Sequence, residues 1–479
     1  MEIKSYVKDN MDGLISDLCE LIRIPSVMDM STAQTGQPFG EGPRKGLEAF
    51  LALGERMGMK SRNFDNYAGD LTVGTGDYMI GIMGHIDVVP AGEGWHSDPF
   101  EPVIKDGWIY GRGSSDDKGG LVASLYAVKY LMDENLIPED VSIRMIIGAD
   151  EEEGLRCIEH YLKLVDRLPD VSFVPDGYFP MVNCEKGLID FDLSYDFAVR
   201  EGAQAEIVSL QGGAGRNMVP GIARCRIQSE TMDLHDIKEA IEAEKDKILD
   251  GAGHPVEIEW KIEITEEELV IETTGAACHA MKPELGRNAL SALICTLAHS
   301  GIVFDCQEFL EVYDRSFGMT YNGEKLGCRY EDEISGVLTL NIGTIERLKN
   351  TFAMKANVRW PVSVDYETIQ QEFAAQLKSA GFHYEEVLYI PMLYLPVDSN
   401  LVQCLLTSYQ EVSGDYENMP FSIGGATYAR DLPHSISFGP LFPYEEDLMH
   451  QPDEAQSIES LRKITEIYIR SLIRLTISR

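Results

Sequence analysis

The chain has few positive charges for its length. Its 479 residues include 41 Lys and Arg against 79 Asp and Glu, which gives a formal net charge of −38. Because phosphate groups are repelled by a surface of their own sign, this charge argues against nucleic acid or an anionic membrane as a partner. Acidity alone identifies no substrate, since it also serves solubility.

Long apolar runs and paired cysteine motifs are also missing. No segment approaches the 18 apolar residues that indicate a membrane-spanning helix. Near the N-terminus, Glu2, Lys4, Lys8 and Asp9 leave no apolar core, so we expect no secretory signal. The nine cysteines are odd in number and form no Cys-x-x-Cys pair, which favours reduced thiols over a disulfide framework. These features predict a cytoplasmic protein.

Length and hydrophobic periodicity predict a divided chain, because 479 residues exceed one typical core. Apolar runs at 78–83 and 141–147 indicate buried strands around a helix at 118–132, which favours an α/β domain with a mixed, largely parallel sheet flanked by helices. From 188 to 385, alternating stretches typical of antiparallel strands are interleaved with helices such as 234–249. We therefore predict a catalytic domain in two segments, 1–187 and 386–479, with a closing helix at about 453–475. An inserted α+β lid domain, 188–385, separates the two segments.

Side chains of metal-binding type recur where the predicted strands should end. The segments are Gly-His-Ile-Asp-Val-Val-Pro at 84–90, Gly-Arg-Gly-Ser-Ser-Asp-Asp-Lys-Gly at 111–119, Gly-Ala-Asp-Glu-Glu-Glu-Gly at 148–154, Pro-Asp-Gly at 175–177 and Met-His-Gln at 449–451. Ligands of open α/β sheets gather at the carboxyl ends of strands. Together the segments offer two histidines and several carboxylates, which is the ligand mix of a two-metal hydrolase.

The first two segments each have a purely structural explanation as well. His85 and Asp87 are two apart in a strand and should face the same side, where a carboxylate can fix the tautomer of a liganding histidine. His85 could equally be a core histidine at a strand end. Asp116 and Asp117 precede a predicted helix and could serve only as its N-cap.

The remaining segments are ambiguous in the same way. Adjacent carboxylates at 151–153 require positive charge if they are buried, but they could also form an exposed loop. Asp176, between Pro175 and Gly177, could be a plain turn residue. Neither His450 nor His279 is informative alone. Because all of the structural explanations would have to hold together, the set as a whole favours a metal site.

With these motifs the chain resembles the co-catalytic zinc exopeptidase family of aminoacylases, carnosine-type dipeptidases and glutamate-releasing carboxypeptidases. The resemblance covers essentially the whole length and is strongest to the bacterial PepV-like dipeptidase branch. The segments that carry this closer match are Asn63-Phe-Asp-Asn-Tyr-Ala-Gly, Arg144-Met-Ile-Ile-Gly, Gly212-Gly-Ala-Gly-Arg-Asn-Met-Val-Pro and Leu448-Met-His-Gln. It implies a zinc-exopeptidase-like catalytic domain with an inserted lid.

The resemblance implies two Zn²⁺ ions per chain, for which Mn²⁺ or Co²⁺ could substitute. Asp116 would bridge the two ions. His85 and Asp176 would complete the protein ligands of one ion, and Glu152 and His450 those of the other. The family also has a cis peptide bond after the bridging aspartate, which predicts one between residues 116 and 117.

The resemblance further implies the catalytic groups. Glu151 would be the general base that takes a proton from a metal-bridged water and passes it to the leaving amine. Asp87 would orient His85. His279, in the lid, would stabilise the oxyanion once the lid closes.

Residues implied to bind the substrate come from both predicted domains. Asn217 and Arg359 would hold its terminal carboxylate, for which a bidentate guanidinium is well suited. Backbone around Gly424, Gly425 and Thr427 would assist.

The function implied is zinc-dependent hydrolysis of the peptide bond of unblocked dipeptides, in a monomer or homodimer. The loop Gly-Gly-Ala-Thr-Tyr-Ala-Arg at 424–430 differs from the form found in deacylases, which favours dipeptides over acylated amino acids. The alternatives are an N-acyl amino acid deacylase or desuccinylase, and a catalytically inactive metal- or peptide-binding protein. The presence of Glu151 and His279 argues against the last of these.

Overall fold

The computed structural model describes residues 2–425 and 427–478, and the chain divides into two compact units. Unit 1 comprises residues 1–183, 394–421 and 426–479, and unit 2 comprises residues 184–393 and 422–425. The lid boundaries at 188 and 385 stay a prediction from the sequence.

The helices are α1 (Ile3–Ile22), α2 (Glu41–Arg56), α3 (Lys118–Asp133), α4 (Arg156–Leu164), α5 (Leu234–Glu244), α6 (Ala289–His299), α7 (Gln307–Ser316), α8 (Tyr366–Ser379), α9 (Asn400–Ser413) and α10 (Ile458–Ile477). The first strands are β1 (Lys60–Phe64), β2 (Ala68–Gly74), β3 (Tyr78–His85), β4 (Val103–Lys105), β5 (Trp108–Tyr110), β6 (Val141–Gly148), β7 (Val171–Val174), β8 (Val182–Glu185), β9 (Gly187–Asp196), β10 (Glu206–Gly212) and β11 (Ile222–Gln228). The later strands are β12 (Glu259–Ile264), β13 (Leu269–Thr274), β14 (Glu331–Asp332), β15 (Gly336–Val337), β16 (Thr339–Leu348), β17 (Thr351–Trp360), β18 (His383–Ile390), β19 (Leu393–Tyr394), β20 (Phe421–Ile423), β21 (Ser435–Ser437) and β22 (Ala455–Ser457).

Unit 1 is built on a mixed sheet in which β1, β2, β6, β3, β7 and β21 are neighbours in that order. Strand β3 is parallel to both β6 and β7, and β7 is parallel to β21. Antiparallel pairing joins β1 to β2 and β2 to β6. Buried residues fill most of β3 and β6, as expected for parallel strands covered on both faces. This arrangement confirms the predicted α/β fold class.

Helices α1, α3, α9 and α10 of unit 1 pack on one another. Helix α3 is buried over most of its circumference, which agrees with its apolar sequence after Lys118. The prediction for α10 was wrong at its start, since the helix begins at Ile458 rather than near 453. The Ser457 side chain accepts a hydrogen bond from the Ser460 N–H and caps the helix there.

Unit 2 contains an antiparallel sheet in the order β12, β13, β11, β10, β16, β17, β9 and β18, and helices α5 to α8 lie in the same unit. Its apolar core joins sheet and helix residues, including Phe309 stacked on Phe352 with ring centroids 3.7 Å apart. The antiparallel character expected for this region is confirmed. Helix α5 ends at Glu244 and a 3₁₀ turn follows at Lys245–Lys247, so the predicted helix to 249 was too long. Across residues 2–425 and 427–478, no helix has the length and apolarity to cross a bilayer.

Candidate active site

Three parallel strands of unit 1 end at the same edge of the sheet, and each delivers a predicted site residue there. His85 is the last residue of β3 and pairs in register with Gly148, the last residue of β6. The loop that carries Glu151 therefore begins beside His85. Asp176 lies two residues beyond the end of β7, and β7 pairs with β3 on the side opposite β6. Parallel pairing is the reason that segments distant in sequence meet here.

Glycines bring the loop with Asp116 against this edge. A Cβ atom added to Gly119 would lie 2.2 Å from the Ser114 carbonyl oxygen, and one added to Gly120 would lie 2.4 Å from the Pro175 carbonyl oxygen. Only glycine permits such an approach at the start of α3. The peptide bond between residues 116 and 117 is cis, which confirms the prediction made from the resemblance.

Asp116 stands between two histidines, with one carboxylate oxygen towards each. Its Oδ1 lies 3.0 Å from His85 Nε2, and its Oδ2 lies 3.0 Å from His450 Nε2. Each histidine has a second carboxylate: Asp176 Oδ2 is 3.7 Å from His85 Nε2, and Glu152 Oε2 is 3.1 Å from His450 Nε2. The five residues predicted as metal ligands are therefore together in unit 1, in two groups that share Asp116.

His450 differs from the other four residues in exposure and backbone conformation. Its side chain is 52 % exposed, whereas that of His85 is 1 % exposed. Its φ of 63° lies in the left-handed region, which non-glycine residues seldom adopt and which concentrates at functional sites. This conformation directs the ring towards Asp116 and Glu152 from an exposed turn.

Asp87 has a broader set of contacts than the sequence suggested. The backbone carbonyl of Asp87, rather than its carboxylate, lies 3.0 Å from His85 Nδ1, and the carboxylate Oδ1 is 3.6 Å away. The carboxylate accepts the backbone N–H groups of Glu151 and Glu152, each at 3.1 Å. Asp87 therefore holds the loop that carries Glu151 as well as facing His85.

Glu151 lies within reach of the same cluster. Ligand atoms of His85, Glu151 and Asp176 are all within 4.8 Å of one another, and so are those of His85, Asp116 and Glu152. Distance alone therefore does not show whether Glu151 is a general base or a metal ligand. Burial raises the pKa of Glu151 well above its usual value, and the neighbouring charge of Asp176 adds to this effect.

The charges of this cluster fit divalent cations. Burial and the Asp116 charge raise the pKa of Asp176 to about 7, and burial likewise raises the pKa of Glu152. Hydrogen bonds to Asp116 and Glu152 raise the pKa of His450 to about 10. Crowded carboxylates of this kind need positive charge, and nitrogen and oxygen donors suit zinc. The residues present therefore fit a pair of divalent metal ions.

A cavity of about 440 Å³ in unit 1 opens onto the cluster. Its lining includes Tyr178, Thr427 and Asp447, together with Glu151 and four of the five predicted ligands, Asp116, Glu152, Asp176 and His450. The Tyr178 hydroxyl donates to Asp447 Oδ2 at 2.8 Å, and the Met449 N–H donates to Oδ1 at 3.1 Å. The carboxylate of Asp447 is thus oriented inside a pocket that is already acidic.

In unit 2, Asn217 and His279 are neighbours on two paired segments. The Ala280 N–H donates to the Asn217 carbonyl at 2.8 Å, and Met218 and His279 form an antiparallel bridge. Burial lowers the pKa of His279 to about 4, helped by the charge of Arg359, so that the ring is neutral near pH 7. The Met281 N–H donates to Nδ1 of the ring at 3.1 Å, which leaves the proton on Nε2. His279 is therefore prepared as a neutral hydrogen-bond donor.

Arg359 is held by its own unit. Its Nε donates to Asn357 Oδ1 at 2.9 Å, and its guanidinium also donates to the Gly424 carbonyl. Gly425 follows in unit 2, whereas Thr427 belongs to unit 1 and lines the cavity. The roles assigned to these residues in substrate binding stay predictions.

Sequence reasoning missed Arg112 and Glu454, which form a buried ion pair with Nη1 and Oε2 2.7 Å apart. Both stand close to motifs that were singled out: Arg112 lies in the segment 111–119, and Glu454 follows His450 by four residues. Their closeness to these motifs was the only hint of a role in the site. No local sequence pattern predicts contact between two residues that are 342 apart in the chain. Tyr178 and Asp447 were missed for the same reason.

The chain belongs to peptidase family M20/M25/M40, whose profile matches residues 81–474. It is therefore a hydrolase that acts on peptide bonds, in a family of metal-dependent enzymes. The family assignment made from the sequence motifs is confirmed.

Curated relatives span nearly the whole chain. The protein named "Putative dipeptidase YtjP" from Bacillus subtilis (strain 168) is 38% identical over 467 residues, covering 97% of each chain. "Putative dipeptidase SH1171" from Staphylococcus haemolyticus (strain JCSC1435) is 33% identical over 477 residues, covering 99% of each. Among solved structures, human carnosine dipeptidase 1 has a TM-score of 0.58 at 15% identity, over 99% of this chain and 98% of its own. Aminoacylhistidine dipeptidase from Vibrio alginolyticus has a TM-score of 0.57 at 15% identity and 97% coverage of both. These structures establish the likeness of fold.

Proposed function

We propose that the protein is a dipeptidase that holds two divalent cations, zinc in the first instance, and cleaves the peptide bond of unblocked dipeptides. The observation that carries the proposal is the placement of Asp116, whose two oxygens each face a different histidine with its own second carboxylate. This arrangement suits a pair of cations that share one carboxylate. The names of the curated relatives support a dipeptide substrate.

His85, Asp116 and Asp176 would hold one cation, and Asp116, Glu152 and His450 the other. When bound, the cations would supply Lewis-acid chemistry, which lowers the pKa of water and polarises the scissile carbonyl. Glu151 takes the proton of the attacking water and returns it to the leaving nitrogen. The partial desolvation of its carboxyl group at the cavity wall favours this role, because desolvation raises the basicity of a carboxylate.

Unit 2 supplies the groups that stabilise the oxyanion and bind the terminal carboxylate of the substrate without a metal ion. The Nε2–H of neutral His279 is the donor for the oxyanion that develops at the scissile carbonyl. Arg359 and Asn217 bind the terminal carboxylate of the substrate, and Asn357 keeps the guanidinium in place through Nε. Backbone at Gly424 and Gly425, with Thr427 of unit 1, completes the set that the family resemblance assigns to the substrate.

Asp447 favours an unblocked substrate over an acylated one. Two divalent cations match the charge of Asp116, Glu151, Glu152 and Asp176, which leaves Asp447 as an additional carboxylate in the cavity. A free α-ammonium group offers it a charged partner, whereas an acylated nitrogen offers none. The cavity therefore supports a dipeptidase in preference to an N-acyl amino acid deacylase.

The test is a substrate panel with the zinc-loaded protein. Unblocked dipeptides should have kcat/KM values at least about 100-fold above those of the matching N-acetyl amino acids. Asp447→Asn should raise KM for the dipeptides about tenfold, which corresponds to 1.4 kcal/mol, and leave the acetylated compounds unchanged. Preference for the acetylated compounds would instead identify a deacylase, and loading with zinc without turnover of either class would identify a non-catalytic binding protein.

We also propose a cytoplasmic location, which the nine free cysteines support because reduced thiols are typical of that compartment. The oligomeric state, monomer or homodimer, stays a prediction.

A further inference from the structure

One carboxylate oxygen organises the backbone around Asp116. Glu454 Oε1 accepts hydrogen bonds from the backbone N–H groups of Gly113, Ser115 and Asp116, at 3.1, 3.0 and 3.2 Å, and from the Ser115 hydroxyl at 3.0 Å. Four donors that converge on a single oxygen fix the turn from which the Asp116 side chain projects. Glu454 itself makes no contact with a predicted ligand side chain in these hydrogen bonds.

The other end of Glu454 reaches the remaining ligand segments through Arg112. Nη1 of Arg112 donates to Glu454 Oε2 at 2.7 Å. Nη2 contacts three carbonyl oxygens, those of Pro90, Ala91 and His450, at 3.4, 3.3 and 3.4 Å. Pro90 is the last residue of the segment 84–90 that carries His85 and Asp87, and Ala91 follows it directly. The pair therefore joins the segments that present His85, Asp116 and His450.

Stability alone is a poor explanation for this pair. The side chains of Arg112 and Glu454 are 2 % and 1 % exposed, so both charges are taken out of water. The desolvation of such a pair opposes most of its Coulombic attraction, and buried ion pairs are weak evidence for stability. What the pair fixes is geometry, because every hydrogen bond described above ends on, or directly beside, a segment that carries a metal-ligand candidate.

We propose that Glu454 and Arg112 are positioning residues that set the affinity of the site for its cations. The inference rests on the proposed two-cation site and adds to it the residues that hold the ligand segments at their mutual spacing. Groups that orient metal ligands without touching the metal commonly change metal affinity by about 10- to 100-fold when they are replaced.

Glu454→Gln is the direct variant. Glutamine keeps the shape of the side chain but has one carbonyl oxygen and one NH₂ group. If the oxygen faces the turn at 113–116, the NH₂ group faces the Arg112 guanidinium, and two donors oppose each other. We expect the dissociation constant for Zn²⁺, measured by calorimetry on the metal-free protein, to rise about 10- to 100-fold. With saturating Zn²⁺, kcat should return towards that of the parent protein.

Unit 2 offers a matched control. Arg347 and Asp305 form a buried ion pair at 2.6 Å with both side chains 6 % exposed. The Arg347 guanidinium lies 5.1 Å from the ring centroid of Phe197, much as that of Arg112 lies 5.2 Å from the ring centroid of Trp95. Asp305→Asn should reduce thermal stability by a similar amount and leave the Zn²⁺ dissociation constant within about threefold, because Asp305 and Arg347 belong to unit 2 and, among the residues that the structure describes, share no hydrogen-bond partner with the predicted ligands. Equal Zn²⁺ affinities for the parent and both variants would overturn the inference.

Arg112→Lys keeps the inference testable if Glu454→Gln does not fold. Lysine retains the charge opposite Glu454 but lacks the fork that contacts Pro90, Ala91 and His450. The Zn²⁺ dissociation constant should rise about tenfold, and an unchanged value in the folded variant would again reject the inference. Failure of the proposed two-cation site is recognised separately, since in that case the parent protein would not bind two equivalents of Zn²⁺. Failure of the proposed dipeptidase activity is recognised in the substrate panel, whatever the Zn²⁺ affinities of the variants.

Discussion

The two units prepare their functional groups in opposite ways. In unit 1, carboxylates crowd around two histidines, and burial raises the pKa of Glu151, Glu152 and Asp176 because the protein supplies too little positive charge for them. In unit 2, Asn217, His279 and Arg359 have partners within their own unit, such as the Met281 N–H for His279 and Asn357 for Arg359.

This difference indicates which unit depends on bound cations. The carboxylates of the unit 1 cluster need cations to balance their negative charge, whereas hydrogen bonds to backbone and side chains orient the donors of unit 2 before any ligand binds. Metal dependence should therefore be a property of unit 1 segments, and preorganisation a property of unit 2. The following predictions test that division.

Removal of metal should have the largest effect. Dialysis against a chelator should abolish peptidase activity, and Zn²⁺ should restore it. Hydrogen exchange should become faster in unit 1 at residues 113–117 and 148–154, because the cluster loses its compensating charge. Exchange at 217–219 and 278–280 should stay unchanged, since backbone hydrogen bonds hold these segments. Equal acceleration in both units would contradict the comparison.

Replacing Glu151 should have the next largest effect. Glu151→Gln keeps the shape but cannot accept a proton, so kcat should fall by about 10³-fold. Zn²⁺ stoichiometry must be measured on the same sample, because the Glu151 carboxylate lies within 4.8 Å of ligand atoms of His85 and Asp176. Two equivalents of zinc with lost turnover identify a base, whereas loss of one equivalent identifies a ligand. Glu153→Gln, at the exposed neighbouring position, is the control and should retain activity.

Local patterns were sufficient for the part of the site that parallel strands build. His85 and Asp176 were predictable because strand ends of a parallel sheet meet at one edge. The start of α10 was not, because residues 455–457 form β22 and pair with β5, a contact more than 300 residues away in sequence. Tertiary pairing overrode the helical pattern there.

The case of Asp87 shows what strand alternation could and could not give. Its side chain faces His85 as predicted, with Oδ1 3.6 Å from Nδ1, and its role in orienting the ring stays a prediction. The contacts of the Asp87 backbone carbonyl with Nδ1 and of the carboxylate with the N–H groups of Glu151 and Glu152 were not predictable, because β3 ends at His85 and the loop after β6 is distant in sequence. Glu454 lay beyond this reasoning altogether, because its partners at 112–116 are about 340 residues away.

The smallest expected effect concerns the pH dependence contributed by His279. Its pKa is lowered to about 4 by burial and by the charge of Arg359, so the ring is neutral throughout the range from pH 5.5 to 8. His279→Gln should therefore lower kcat/KM by about 10²-fold at every pH in this range without moving the acid limb of the profile. An ordinary histidine, with a pKa near 6.5, would instead produce a limb in the parent protein that disappears in the variant. A limb near pH 6.5 that disappears in His279→Gln would show that the donor of unit 2 is not held neutral, and the contrast with the acidic cluster would fail.

The same lowered pKa of His279 has a consequence for stability, because the unfolded chain binds this proton more readily than the folded one. The free energy of unfolding should therefore decrease as the pH falls from about 6.5 towards 4. His279→Gln should remove that component of the pH dependence from a series of thermal unfolding measurements.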